Sequence, residues 1–137
     1  MPDFYRKESF TMKRVLLAVL FVVVTAIFSH AASAVIDVSS REAKALLDRN
    51  KAVYLLDVRT AYEYRGGKLA GSVLIPIAEL ERRVAEVPRN KTILVYCAVG
   101  GRSQPAASFL SKRGYQNVYN MTDGIEGWSR NGLPVQR

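Results

Sequence analysis

The chain has 137 residues and one cysteine, Cys97, in the run Cys97-Ala98-Val99-Gly100-Gly101-Arg102-Ser103. A thiol is a nucleophile only as its thiolate, so the neighbouring residues matter for how they treat a negative sulfur. Thr92-Ile93-Leu94-Val95-Tyr96 before the cysteine is apolar and rich in β-branched residues, and reads as a buried strand. Gln104-Pro105-Ala106-Ala107-Ser108-Phe109-Leu110 after it reads as a helix. The cysteine thus stands where a strand ends, a glycine turn begins and a helix N-terminus follows. In open α/β sheets, ligands bind just outside the carboxyl ends of the strands. A helix N-terminus presents unpaired N–H groups and roughly half a positive charge. Gly100 and Gly101 let the backbone curl so that successive N–H groups point inward at an anion. Arg102 adds a fixed positive charge. The alternative is a buried structural cysteine, and the Gly-Gly-Arg that follows argues against it.

The rest of the chain must position that loop. Val35–Val38 reads as a first strand and Ser39–Asp48 as a helix, with Ser39 and Glu42 spaced as a capping box and Asn50 as a stop. Ala52–Arg59 reads as a second strand, continuous in its apolar residues as in a parallel sheet buried on both faces. Asp57 and Arg59 stand at its carboxyl end, on the side of the cysteine loop if the strands are parallel. Val73–Ile75 is a third strand. Pro76–Val87 is an amphipathic helix with Ile77, Leu80, Val84 and Val87 on one face and a solvated face of Glu79, Glu81, Arg82, Arg83 and Glu86. The helix after the loop takes Ser103 as N-cap and Gly114 as C-cap. Gln116–Asn120 is a fifth strand, followed by Gly124-Ile125-Glu126-Gly127-Trp128, with Trp128 as a packing anchor. The alternation of strands and helices gives an α/β fold.

Residues 1–34 read as separate from this domain, which spans residues 35–137. Lys13-Arg14 is a basic start, Val15–Phe28 is apolar apart from Thr25, and Ala32-Ser33-Ala34 is a small-residue cleavage site. This is the pattern of a secretory signal peptide, and it places the mature domain in the periplasm or outside the cell. The apolar run is shorter than the ~20 residues of a membrane span, and an uncleaved N-terminal anchor is the alternative. Met12 is a more natural start for such a signal than Met1. The formal charge is +8. It is scattered rather than gathered into runs, so it reads as a basic surface that attracts small anions, not as a nucleic-acid footprint. After removal of the signal the chain would hold one cysteine and no histidine. That excludes an internal disulfide, a Cys-His nucleophile pair and a histidine-bearing zinc site, and no metal or cofactor is expected.

The segment C-x-x-G-x-R-S after an apolar strand resembles the active-site loop of rhodanese-like sulfurtransferases. Four residues separate Cys97 from Arg102, against five in tyrosine phosphatases and in the cell-cycle phosphatases that share the rhodanese fold. The shorter loop makes a smaller cradle, suited to a sulfur atom rather than a phosphoryl group. A second stretch, Asp57-Val58-Arg59 through Glu63-Tyr64, Gly67, Leu69, Gly71 and Ile75-Pro76, is similar to another rhodanese signature. It departs from the family at Lys68, where histidine is usual. The Gly124–Trp128 run resembles the family's C-terminal pattern.

The resemblance covers nearly all of residues 35–137 and implies a five-stranded parallel sheet flanked by helices on both faces. It implies sulfur transfer from a small anionic donor such as thiosulfate to cyanide or a thiol through a persulfide on Cys97. In that reading the loop N–H groups from Ala98 through Val99, Gly100 and Gly101 to Ser103 hold the anionic sulfur. Arg102 stabilises the thiolate or orients the donor. Arg59 and Glu63 form a charge network bordering the loop, with Glu63 pairing Arg102. The alternatives are a phosphatase or arsenate reductase on the same fold, and a non-catalytic sulfur carrier or binding module.

Overall fold

A computed structural model describes residues 12–16, 18 and 34–137 of the chain. The expected export signal over residues 1–34 therefore falls almost wholly outside the described residues. Among the described residues no helix is long and apolar enough to cross a membrane. By its internal contacts the chain divides into two units, Met1–Ala31 and Ala32–Arg137, and the second carries the fold set out below.

The elements run β1 (Ile36–Val38), α1 (Ser40–Arg49), β2 (Tyr54–Asp57), α2 (Ala61–Gly66), β3 (Val73–Leu74), α3 (Ile77–Arg83) with a 3-10 turn at Val84–Glu86, β4 (Ile93–Tyr96), α4 (Ser103–Lys112), β5 (Val118–Met121) and α5 (Gly124–Arg130). All five strands are parallel, in the order β1-β5-β4-β2-β3. From β2 the chain proceeds to β3 on one side, and from β4 to β5 on the other. The carboxyl ends of these two neighbours form a topological switch point, where an open sheet leaves a crevice. Cys97 follows β4 there, and Arg59 follows β2.

Both faces of the sheet are covered. Ile93 and Val95 of β4 point into one apolar cluster, with Leu56, Val58, Leu80, Ala106, Ala107 and Leu110. Leu94 and Tyr96 point into the other, with Ala43, Leu55, Leu69, Met121, Ile125 and Trp128. This alternation is why β4 is apolar at every position, and β2 at all but its terminal Asp57: each side chain meets a helix layer on its own side. Trp128 is 4% exposed and its indole N–H donates to Pro134 O at 2.9 Å.

The elements expected from sequence are present, with shifted ends. The capping box at Ser39 and Glu42 starts α1, and Asn50 stops it. β2 ends two residues before Arg59, because the Arg59 amide turns back to the Asp57 carboxylate at 2.9 Å instead of continuing the ladder. The helix from Pro76 to Val87 is shorter in its α part and ends in the 3-10 turn. β5 starts at Val118 because Asn117 turns, with φ +52. α2 was not drawn from the sequence. A second capping box starts it, with Thr60 and Glu63 bonded to each other's backbone N–H groups.

Candidate active site

The loop between β4 and α4 wraps Cys97. Its side chain is 1% exposed. The Gly100 amide points at Sγ at 3.1 Å and the Ser103 amide at 3.4 Å. Both come from the turn that opens α4, so the positive end of that helix faces the sulfur. The Ser103 hydroxyl is 3.5 Å from Sγ and 3.3 Å from the Gly100 carbonyl. As a thiol, Cys97 donates to Ser103 Oγ, and the serine donates to that carbonyl. As a thiolate, it accepts from the serine instead. Burial pushes the Cys97 thiol up, but the Ser103 hydroxyl and the amides of Ser103, Arg102 and Gly100 outweigh it, and the net displacement is downward.

Two glycine positions fix the loop. Gly100 has φ +97, and a Cβ there would lie 2.1 Å from Thr122 O. Gly124, at φ +60, opens α5 against the loop, and a Cβ there would lie 2.2 Å from Ala98 O. That approach lets α5 brace the loop from behind. Ile125 N donates to Cys97 O at 2.9 Å and Glu126 N to Ala98 O at 3.1 Å. These bonds tie the first two loop carbonyls to α5, and the Gly100 and Ser103 amides further along face the sulfur. Gly101, expected to share the curl, is exposed, with nothing within 4 Å of a built Cβ, so Gly100 alone carries the turn. Ser103, expected as N-cap, is instead the first helical residue. Arg102 occupies the cap position at φ −93, ψ −32, without a side-chain cap, and the Ser103 hydroxyl is engaged at the sulfur.

Arg102 leaves the loop toward α2. Its two terminal nitrogens meet the two carboxylate oxygens of Glu63 at 2.8 and 2.7 Å. The same carboxylate accepts from Thr60 N and Thr60 Oγ1, at 3.0 and 2.9 Å. The Arg102 fork, with the Thr60 bonds, holds the Glu63 carboxyl down to about 2. One glutamate therefore caps α2 and sets the direction of Arg102.

Arg59 does not join this network. Its guanidinium donates to Asp57 at 2.7–3.1 Å and to Gly67 O at 2.7 Å, and it lies 5.6 Å from the Tyr96 ring centre. Asp57 is fully buried and Arg59 is 5% exposed. A buried carboxylate is costly unless paired, so the nearer acid captures the arginine, and Arg59 lines the cleft beside Glu63 and Ala98 without joining the Glu63–Arg102 pair. Ala98 is partly buried beside that cleft, and Val99 is 57% exposed on the loop's outer rim. Lys68, which replaces the usual histidine, lies with Nζ 4.5 Å from the Tyr64 ring centre.

Sequence reasoning missed two supports of the site. One is the bracing by Gly124 and its helix. The other is Asp123, whose carboxylate accepts from Ser40 N at 2.8 Å and Ser40 Oγ at 2.7 Å, tying α1 to the start of α5.

A parallel α/β sheet with a buried cysteine cradled by backbone amides at the end of its central strand defines a class of single-nucleophile loop proteins. The chain belongs within it to the rhodanese-like domain family, whose model matches residues 39–131. A sulfurtransferase from Allochromatium vinosum is 32% identical over 99 residues, 72% of this chain and 92% of that protein. An adenylyltransferase and sulfurtransferase from Arabidopsis thaliana is 30% identical over 113 residues, 71% of this chain but 24% of that protein. Among solved structures, a rhodanese-related protein from Thermoplasma volcanium is similar with a TM-score of 0.66 and 37% identity, covering 74% of this chain and 97% of the other. At the level of the family, these relatives connect the fold to sulfur transfer.

Proposed function

We propose that this protein is a sulfurtransferase working through a persulfide on Cys97. The observation that carries the reading is the set of amides at 3.1 and 3.4 Å from Sγ, closing on the sulfur of a domain whose residues 35–137 contain no histidine. The cradle activates the thiolate electrostatically, without a general base. The thiolate attacks the outer sulfur of an anionic donor such as thiosulfate. A Cys97 S–S bond forms, the donor's S–S bond breaks, and sulfite leaves with its electron pair. An acceptor, cyanide or a thiolate, then takes the outer sulfur, and the electron pair of the broken bond returns to Cys97. The loop amides hold the anionic sulfur in both states. Arg102, steered by Glu63, offers the donor a cation. The basic n-region, apolar run and Ala-x-Ala site support export, with the domain released as residues 35–137.

The test is intact mass before and after thiosulfate. Wild type is expected to gain ~32 Da, one sulfur atom by its chemistry, and to lose it to cyanide with release of thiocyanate. Cys97→Ser should gain nothing and remain folded. Thiocyanate production by Cys97→Ser refutes the mechanism. An adduct that forms but does not discharge to any acceptor makes the protein a carrier rather than an enzyme. Turnover of an aryl phosphate without an adduct favours phosphatase chemistry.

A further inference from the structure

Beside the sulfur loop lies an open cleft of about 520 Å³. Its lining includes Ala98 of the loop, Glu63, Arg59, and Glu126, Ser129 and Arg130 of α5. Two of its charges are already spent: Glu63 on Arg102, and Arg59 on Asp57. Glu126 and Arg130 are different. They stand four residues apart on one helix in the order, acid before base, that favours an ion pair. Elsewhere such neighbours do pair: Lys44 with Asp48 at 2.6 Å, and Arg83 with Glu79 and Glu86 at 2.8 Å each. No ion pair joins Glu126 to Arg130, and both line the cleft instead. Both side chains are exposed on α5 and stand in the lining of the cleft that also includes Ala98.

We infer that Glu126 and Arg130 bind the zwitterionic end of an amino-acid-type thiol, its ammonium on Glu126 and its carboxylate on Arg130, and so select the sulfur acceptor. The inference rests on the sulfurtransferase reading for the reaction it serves. Position supports it. The Glu126 amide bonds Ala98 O at 3.1 Å, so this end of α5 abuts the residue next to Cys97. Arg130 follows about 6 Å further along the helix axis. A thiol two bonds from the α-carbon that carries both charges can turn toward the loop while its charges stay on α5. Arg137 adds a second cation to the same cleft. The step balances without an oxidant. The acceptor thiol releases its proton to solvent and its thiolate bonds to the outer sulfur of the persulfide. The persulfide S–S bond then breaks with its electron pair passing to Cys97, and the acceptor departs as a persulfide.

The experiment compares wild type with Glu126→Gln and Arg130→Gln in two assays. First, persulfide-loaded protein is discharged by cysteine, by cysteamine (no carboxylate), by 3-mercaptopropionate (no ammonium) and by cyanide. Wild type should prefer cysteine. Arg130→Gln should raise the KM for cysteine about 10-fold, as for loss of one charge-assisted hydrogen bond, and leave cysteamine and cyanide unchanged. Glu126→Gln should do the same relative to 3-mercaptopropionate. Second, S-methylcysteine, which has the zwitterion but no thiol, should slow alkylation of Cys97 in the unloaded wild type and not in either variant. This arm needs no persulfide, so it separates the site from the reaction. Protection without loading would uphold the binding site and overturn sulfur transfer. Equal discharge by all three thiols, or S-methylcysteine protection that survives both substitutions, overturns the inference.

Discussion

Replacing Gly124 by alanine tests how the sulfur loop is held. The built Cβ lies 2.2 Å from Ala98 O, 2.4 Å from Ala98 C and 2.6 Å from Val99 N. Cβ atoms do not approach carbonyl oxygens closer than about 3 Å, so loop and helix must separate by ~0.8 Å at least. That stretches the bonds Ile125 N to Cys97 O and Glu126 N to Ala98 O, now 2.9 and 3.1 Å. The left-handed backbone at φ +60 adds roughly 1–2 kcal/mol of strain, and the forced contact about 1–3 kcal/mol more. A domain of this size is stable by ~5–15 kcal/mol and stays folded. The informative readout is the pH dependence of Cys97 alkylation. With the amides displaced, its midpoint should move up, and persulfide formation should slow about 100-fold, as expected for a displacement near 1 Å. Gly132→Ala is the control: φ is +70 there, but nothing lies within 4 Å of its Cβ. It incurs the strain without touching the loop. If folded Gly124→Ala keeps the wild-type midpoint and rate, α5 does not brace the loop.

The other predictions concern charge and loop size. Glu63 has its carboxyl held down to about 2, so its contribution to stability is full above its unfolded value near 4.5 and is lost as pH falls toward 2. The pair is about one-third exposed, and screening leaves ~1 kcal/mol. Glu63→Gln should therefore flatten acid denaturation between about pH 5 and 2, and an unaltered acid limb counts against the pairing. Arg102→Ala should lower thiosulfate turnover roughly 10–1000-fold, the range for one preorganised charge contact, and an unchanged rate would mean that Arg102 only braces α2. One glycine inserted between Gly100 and Gly101 gives five residues between Cys97 and Arg102. Sulfur transfer should fall, and phosphate should protect Cys97 from alkylation more than in the wild type. Retained transfer with no added protection would show that loop length does not select the chemistry.

What the sequence revealed depended on how local each feature is. The cysteine loop was legible because strand, turn and helix N-terminus are contiguous. The pairing of Glu63 with Arg102 spans 39 positions, and only the resemblance pointed to it. The ion partner of Arg59 differs from the expected network although its position beside the loop does not: residues two apart at a strand end face the same way, which puts Arg59 against Asp57. The capping box at Thr60 and Glu63 has the same spacing as the one at Ser39 and Glu42, but it follows β2 by three residues and opens a helix of only six, too short to show an apolar period. The bracing by Gly124 was beyond local reading. It requires β5 to lie beside β4, and that adjacency comes from the sheet as a whole.

In the proposed cycle, the depth of Cys97, 1% exposed in its cradle, governs which atom of a loaded site an incoming thiol can strike. Attack on the inner sulfur would yield a mixed disulfide and trap the protein, with no second cysteine in the chain to resolve it. The outer sulfur of a persulfide lies one S–S bond, about 2.05 Å, beyond Sγ. Burial thus acts as a regiochemical filter. The atom that must be recovered is the shielded one, so in the proposed cycle one cysteine serves repeated turnovers without a partner thiol.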